Sequence, residues 1–184
     1  MCPSCAQGEK YTFPNVVWIT IGDVTTDKSV LFGLFHVHNP LINRMKIDAK
    51  RISNSIKESA LKDGYYVKTD FNLTENNLDV ALRDPNIYGF TFFGHGGSKA
   101  GDALMRTVNQ SDIRPDNINL NYHLGQVILN ACYSDTEFKG SKFIDKFKND
   151  NLYGIFKGHA GYLYSWGFYS TAYEWTDTKV PQGK

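Results

Sequence analysis

Histidine and cysteine are the side chains here with the chemistry for covalent catalysis, and one of each stands at the end of a matching run. Ile87-Tyr88-Gly89-Phe90-Thr91-Phe92-Phe93-Gly94 leads into His95-Gly96-Gly97, and Gln126-Val127-Ile128-Leu129-Asn130-Ala131 leads into Cys132. An imidazole titrating near neutrality can help ionise a thiol and then protonate a departing amine, while the thiolate attacks a carbonyl carbon. Each residue also has a plain structural reading. Free cysteine is among the most often buried residue types, and His-Gly after a strand is common. Order and context favour the pair, because both residues stand at strand ends with the histidine first.

Both runs are short, apolar and rich in β-branched or aromatic residues, the pattern of a buried strand in a parallel sheet. The carboxyl ends of such strands open onto the crevice where ligands bind. The two segments FTFFGHGG and VILNACYS together resemble the caspase-like cysteine peptidases, a grouping that includes caspases, metacaspases, legumain, gingipains, clostripain and separase. The resemblance spans about residues 16–166, with only these two motifs specific. It implies a three-layer α/β fold, a mostly parallel central sheet with helices on both faces. It also implies a His95/Cys132 dyad flanking the scissile bond, with the amides of Gly96 and Cys132 as oxyanion donors. Glycine suits position 96 because a Cβ would obstruct the approach of substrate to backbone. Asn130 departs from the Gln, Glu or Asp frequent at that place in the family, which leaves the nucleophile assignment intact.

The resemblance places the S1 pocket at the end of the first strand, where Asp23 stands. A carboxylate there would pair with Arg or Lys at P1. Asp102 and Asp135 are alternatives for the same role, and Asp23 reads equally well as a turn residue after Gly22. The late aromatic residues Tyr162, Tyr164, Trp166, Phe168, Tyr169, Tyr173 and Trp175 read most simply as core and sheet surface. Ser165 and Trp166 fall where caspases line substrate subsites, so they are expected substrate contacts.

Positioning this pair needs a frame, and the flanking sequence supplies one. Val16-Val17-Trp18-Ile19-Thr20-Ile21 reads as the first strand. Residues 23–40 have no fixed assignment and read as either a hairpin or a substrate-side loop. Across 41–61 Ile42, Met45, Ile47, Ala49, Ile52, Ile56, Ala60 and Leu61 recur at mainly helical spacing, and Gly64 ends that helix. A second strand follows at 65–70. A short helix then opens at Thr74-Glu75-Asn76-Asn77 and must stop before Pro85. Residues 98–122 are expected to be loop with one short helix. Phe138, Phe143, Ile144 and Phe147 suggest a further helix face, and residues 152–156 and 161–166 suggest late strands.

The chain of 184 residues is long enough for one α/β domain, with 1–14 as a flexible N-terminal segment and 177–184 as a frayed tail. Twenty basic against 19 acidic residues leave no electrostatic footprint for nucleic acid or an anionic membrane. No stretch approaches the roughly 18 apolar residues of a membrane span, and the first residues lack a signal-peptide layout, so a soluble, cytoplasmic protein is expected. Delivery or secretion as a module of a larger bacterial protein is the variant reading. The three cysteines, Cys2, Cys5 and Cys132, form no disulfide framework, and Cys2-Pro3-Ser4-Cys5 lacks the second ligand pair of a zinc knuckle. His36-x-His38 lacks a third metal ligand, and His123 and His159 have no partner pattern. The loop at 95–101 fails the phosphate-cradle spacing.

These readings converge on a cysteine endopeptidase acting on protein or peptide, with no cofactor expected beyond a structural or activating calcium, and with an inhibitor or parent protein as the partners left open. The alternatives are a catalytically silent domain of the same fold that binds or regulates, and another Cys132-dependent hydrolase. Intact His95, Gly96 and Cys132 argue against the silent domain. The order His before Cys argues against hydrolases with a nucleophile elbow, where the nucleophile comes first.

Overall fold

A computed structural model of the chain describes residues 14–24, 40–120, 122–147, 154–163, 165–166, 169–170, 173 and 175. The expectations for Cys2, Cys5, His36, His38 and the two termini lie outside these residues.

The elements in chain order are β1 (Val16–Ile21), α1 (Pro40–Lys62), β2 (Tyr66–Asp70), α2 (Glu75–Leu82), β3 (Ile87–Phe93), β4 (Met105–Arg106), β5 (Asp112–Ile113) and β6 (Gln126–Asn130), with β7 (Glu137–Phe138), β8 (Ser141–Lys142), α3 (Phe143–Lys146), β9 (Ile155–Lys157), β10 (Ser165–Trp166) and β11 (Tyr169–Ser170) completing them. The fold is α/β. Five strands form the central sheet in the order β2-β1-β3-β6-β9, and every pairing in it is parallel. All residues of β1, β3 and β6 are buried, which is why these strands read as apolar runs and not as alternating ones.

The side chains of β1 sort by parity into two apolar clusters. Val17, Ile19 and Ile21 pack with Ala49, Ile52, Ile56 and Ala60 of α1, whose spacing presents one face to the sheet. Val16 and Trp18 join Leu78 and Leu82 of α2 and Phe143 of α3 in the other cluster, together with Phe90, Phe92 and Phe147. Helix α1 ends in a Schellman motif, with Tyr65 N–H donating to Ala60 O at 3.0 Å, Gly64 N–H donating to Leu61 O at 3.1 Å, and Gly64 at φ 85°. Helix α2 opens with a capping box, in which Thr74 Oγ1 accepts from Asn77 N–H and Asn77 Oδ1 accepts from Thr74 N–H.

Three expectations need correction. The 98–122 stretch holds a β4–β5 hairpin and a turn of 3-10 helix at Pro115–Asn117, since strands of two residues carry no readable period. The apolar spacing from Phe138 to Phe147 is not one helix. Glu137–Phe138 and Ser141–Lys142 form a hairpin whose two-residue loop, Lys139-Gly140, sits at φ 51° and 81°. Two central residues at positive φ make a type I′ turn, so helix begins only at Phe143. Of the late strands, β9 runs over Ile155–Lys157 with residue 154 outside it, and residues 161–163 are not part of a strand.

Candidate active site

Sheet register brings the candidate residues to one level. Ile21 pairs with Phe93, and Phe93 pairs with Asn130. Asp23, His95 and Cys132 each lie two residues beyond that row, so three neighbouring strands release them together at the carboxyl edge. His95 and Cys132 are both half-buried.

Backbone hydrogen bonds lock the three segments where they leave the sheet. His95 N–H donates to Asp23 O at 2.8 Å, Gly94 N–H to Asn130 O at 3.2 Å and Gly97 N–H to Cys132 O at 2.8 Å. Strand β4 wedges in from the side, because Asp23 N–H donates to Arg106 O at 2.9 Å and Arg106 N–H to His95 O at 3.0 Å. Gly96 is pressed against the cysteine backbone. A Cβ added there would stand 2.1 Å from Cys132 O, 2.6 Å from Cys132 N and 2.9 Å from Ala131 C. Among the described residues, the N–H groups of Gly96 and Cys132 meet no hydrogen-bond acceptor.

Past the sulfur the chain turns tightly. Tyr133 adopts φ 55°, a left-handed conformation that non-glycine residues take only where their surroundings enforce it. The turn is held by Ser134, fully buried, whose single O–H is shared between Ala131 O at 2.8 Å and Leu129 O at 3.0 Å and whose Oγ accepts His159 N–H at 3.1 Å. Tyr133 N–H donates to Gly161 O at 2.9 Å, and Leu163 N–H donates to Cys132 Sγ at 3.3 Å. The segment 161–163 therefore lies on the cysteine turn. Before the sulfur, Asn130 uses its side-chain amide to hold Tyr173 at both ends, donating to Tyr173 O at 3.1 Å and accepting Tyr173 N–H at 2.6 Å. Trp175, two residues on, packs with Tyr65 and Tyr88 and donates from Nε1 to Asp63 at 2.8 Å.

The histidine loop has its own brace. Asp102 accepts from Ser98 N–H at 3.1 Å and pairs with Arg114 at 2.7 Å. Arg114 also reaches Asp112, which pairs with Arg106, and its guanidinium lies 4.0 Å over the Phe138 ring. Burial pulls the Asp102 carboxyl up, but hydrogen bonds from Arg114 and Ser98 more than offset that, and it titrates below its ordinary range. Asp102 is thus committed to Arg114. Asp135 is exposed. Asp23 is 6% exposed, with its backbone bonded to both His95 and Arg106. Ser165 and Trp166 form the β10 half of a small hairpin, and their side chains are outside the described set. Among the described residues, no group of three His, Cys, Asp or Glu side chains could hold a metal ion, and no helix is long and apolar enough to cross a membrane.

His159 was not singled out by any partner pattern, yet it buttresses the cysteine turn. Its ring stacks on Tyr173 with centroids 4.5 Å apart, its O accepts Asp135 N–H, and its Nε2 is buried without a partner among the described residues. Burial pushes its imidazole below the ordinary 6.5. In the unfolded chain the same ring titrates near 6.5, so below that pH the unfolded state binds a proton that the folded state resists. The stability due to neutral His159 is therefore complete above about pH 6.5 and declines as pH falls toward the folded value. Urea melts from pH 8 to pH 5 should show this decline, and it should shrink in His159→Phe. Equal slopes in the two proteins would assign the pH dependence elsewhere.

Sequence reasoning missed the 161–163 segment and the Asp102–Arg114 brace. Tyr162 was visible only as one aromatic among several, and nothing in the sequence marks Arg114 as a partner of Asp102. No protein-family model matches the chain, and no curated protein matches it.

Proposed function

We propose that the protein is a cysteine endopeptidase of the caspase-like type, with His95 and Cys132 as the dyad. The observation that carries this reading is the shared register, which releases both residues at the same edge of adjacent parallel strands with Gly96 in contact with the Cys132 backbone. The Cys132 thiolate forms a C–S bond with the scissile carbonyl carbon. The carbonyl oxygen takes up the negative charge and accepts from the Gly96 and Cys132 amides. His95 gives a proton to the amide nitrogen, the C–N bond breaks, and water then hydrolyses the thioester to release the acid and restore the thiol. The two apolar clusters, with α1 on one and α2 and α3 on the other, support the three-layer arrangement. Asp23, buried at the level of the dyad, is the residue proposed to favour Arg or Lys at P1.

A peptidyl chloromethyl ketone with Lys at P1 tests this reading. The native protein should be alkylated at Cys132, mapped by mass spectrometry, much faster than a free thiol and than the His95→Ala variant. An Asp-P1 reagent should react more slowly. If the native and urea-unfolded proteins are labelled at equal rates, the site gives the thiol no activation and the peptidase reading falls.

A further inference from the structure

Residues 161–163 are joined to the Cys132 turn by backbone bonds and to the histidine loop by one side chain. On the cysteine side Gly161 O accepts Tyr133 N–H, Leu163 N–H reaches Sγ, and the Tyr162 ring meets the Tyr133 ring edge-on at 5.0 Å. On the far side the Tyr162 hydroxyl donates to Ser98 O at 2.9 Å. Tyr162 thus spans from the turn bearing the sulfur to the loop that follows His95.

We infer that Tyr162 is a gate over Cys132, closed by its hydroxyl bond to Ser98 and opened when an extended polypeptide enters. Its meaning as regulation rests on the peptidase reading. The two ends of the span differ in strength. Ser98 is fixed from beneath, since its N–H donates to Asp102 and Asp102 is paired with Arg114. Tyr162 is 54% exposed, so its hydroxyl bond competes with water, and a Cβ at Gly161 would meet nothing within 4 Å. The movable part is therefore Tyr162 and the fixed part the histidine loop. A small electrophile passes such a bar, whereas a chain with side chains on both sides of the reacting carbonyl must displace it.

The experiment measures thiol alkylation, which needs no peptidase activity. In the full chain carrying Cys2→Ser and Cys5→Ser, Cys132 is the sole thiol. Its rates with iodoacetamide and with a polyethylene-glycol maleimide are compared across pH. Tyr162→Phe should raise the bulky-reagent rate roughly fivefold, the population change expected when one neutral hydrogen bond is lost. Tyr162→Ala should raise it further, and iodoacetamide should change little in either variant. An unchanged ratio of bulky to small rates overturns the gate. So does a parallel change in both rates with a shifted pH midpoint, which would mean that the segment acts on thiol ionisation through Leu163. Absence of peptide cleavage in every protein would sink the peptidase reading while leaving these rates interpretable.

Discussion

Cys132→Ala and His95→Ala are each expected to reduce peptide cleavage by on the order of 10⁴-fold or more. In the proposed mechanism the thiolate and the proton donor serve one sequence of bond changes, so neither can compensate for the other. The double variant should therefore be no slower than the worse single one. Both side chains are half-buried at strand ends and not in either apolar cluster, so truncation removes chemistry with little packing. Thermal melts of the two variants should stay close to wild type. Turnover retained in Cys132→Ala would move the nucleophile elsewhere, and collapse of both variants would show that the two residues serve the core.

The second large effect is expected from Gly96→Ala. The added methyl would fall 2.1 Å from Cys132 O and 2.6 Å from Cys132 N, and both are backbone atoms fixed by β6. Relief requires the ends of β3 and β6 to part, which breaks the bond from Gly97 N–H to Cys132 O. Overpacking of this kind costs about 1–3 kcal/mol. Activity should suffer more, by on the order of 10²-fold, because the same displacement misaims the proposed oxyanion donor. Gly101→Ala is the informative companion, since its Cβ would meet nothing within 4 Å although its φ is +84°. It should lose some stability and keep most of its activity. If Gly96→Ala were as active as Gly101→Ala, the close approach at position 96 would have no catalytic meaning.

How much of this was legible in the sequence depended on element length. β1, β3 and β6 are buried along their whole length, so each announced itself as an unbroken apolar run, and α1 is long enough to display its period. That Asp23, His95 and Cys132 leave the sheet at one edge followed from their places at strand ends, whereas the residue-by-residue register was not legible, because parallel pairing has no turn to fix it and is set by packing on both faces. The β7–β8 hairpin was misread for a related reason. Phe138, Phe143 and Phe147 share a core-facing side without sharing a helix, and Lys139-Gly140 is a weaker turn signal than Asn-Gly. The bracing contacts were invisible because Arg114 with Asp102, Asn130 with Tyr173 and Tyr162 with Ser98 join positions far apart in sequence.

The clamp between Asn130 and Tyr173 also ties β6 to a segment that is made later in synthesis. The strands carrying His95 and Cys132 leave the ribosome well before residue 173, and domains assemble as their parts emerge. Until Tyr173 arrives, the Asn130 amide, 1% exposed in the finished fold, lacks both of its backbone partners, and burying it unsatisfied is costly. Trp175 is likewise absent from its place over Gly89, where its ring lies 3.3 Å from the Cβ position. A chain that lacks residues 173 and 175 is therefore expected to hold β6 and the cysteine turn less firmly, because Asn130 and Gly89 lose the contacts that satisfy and cover them.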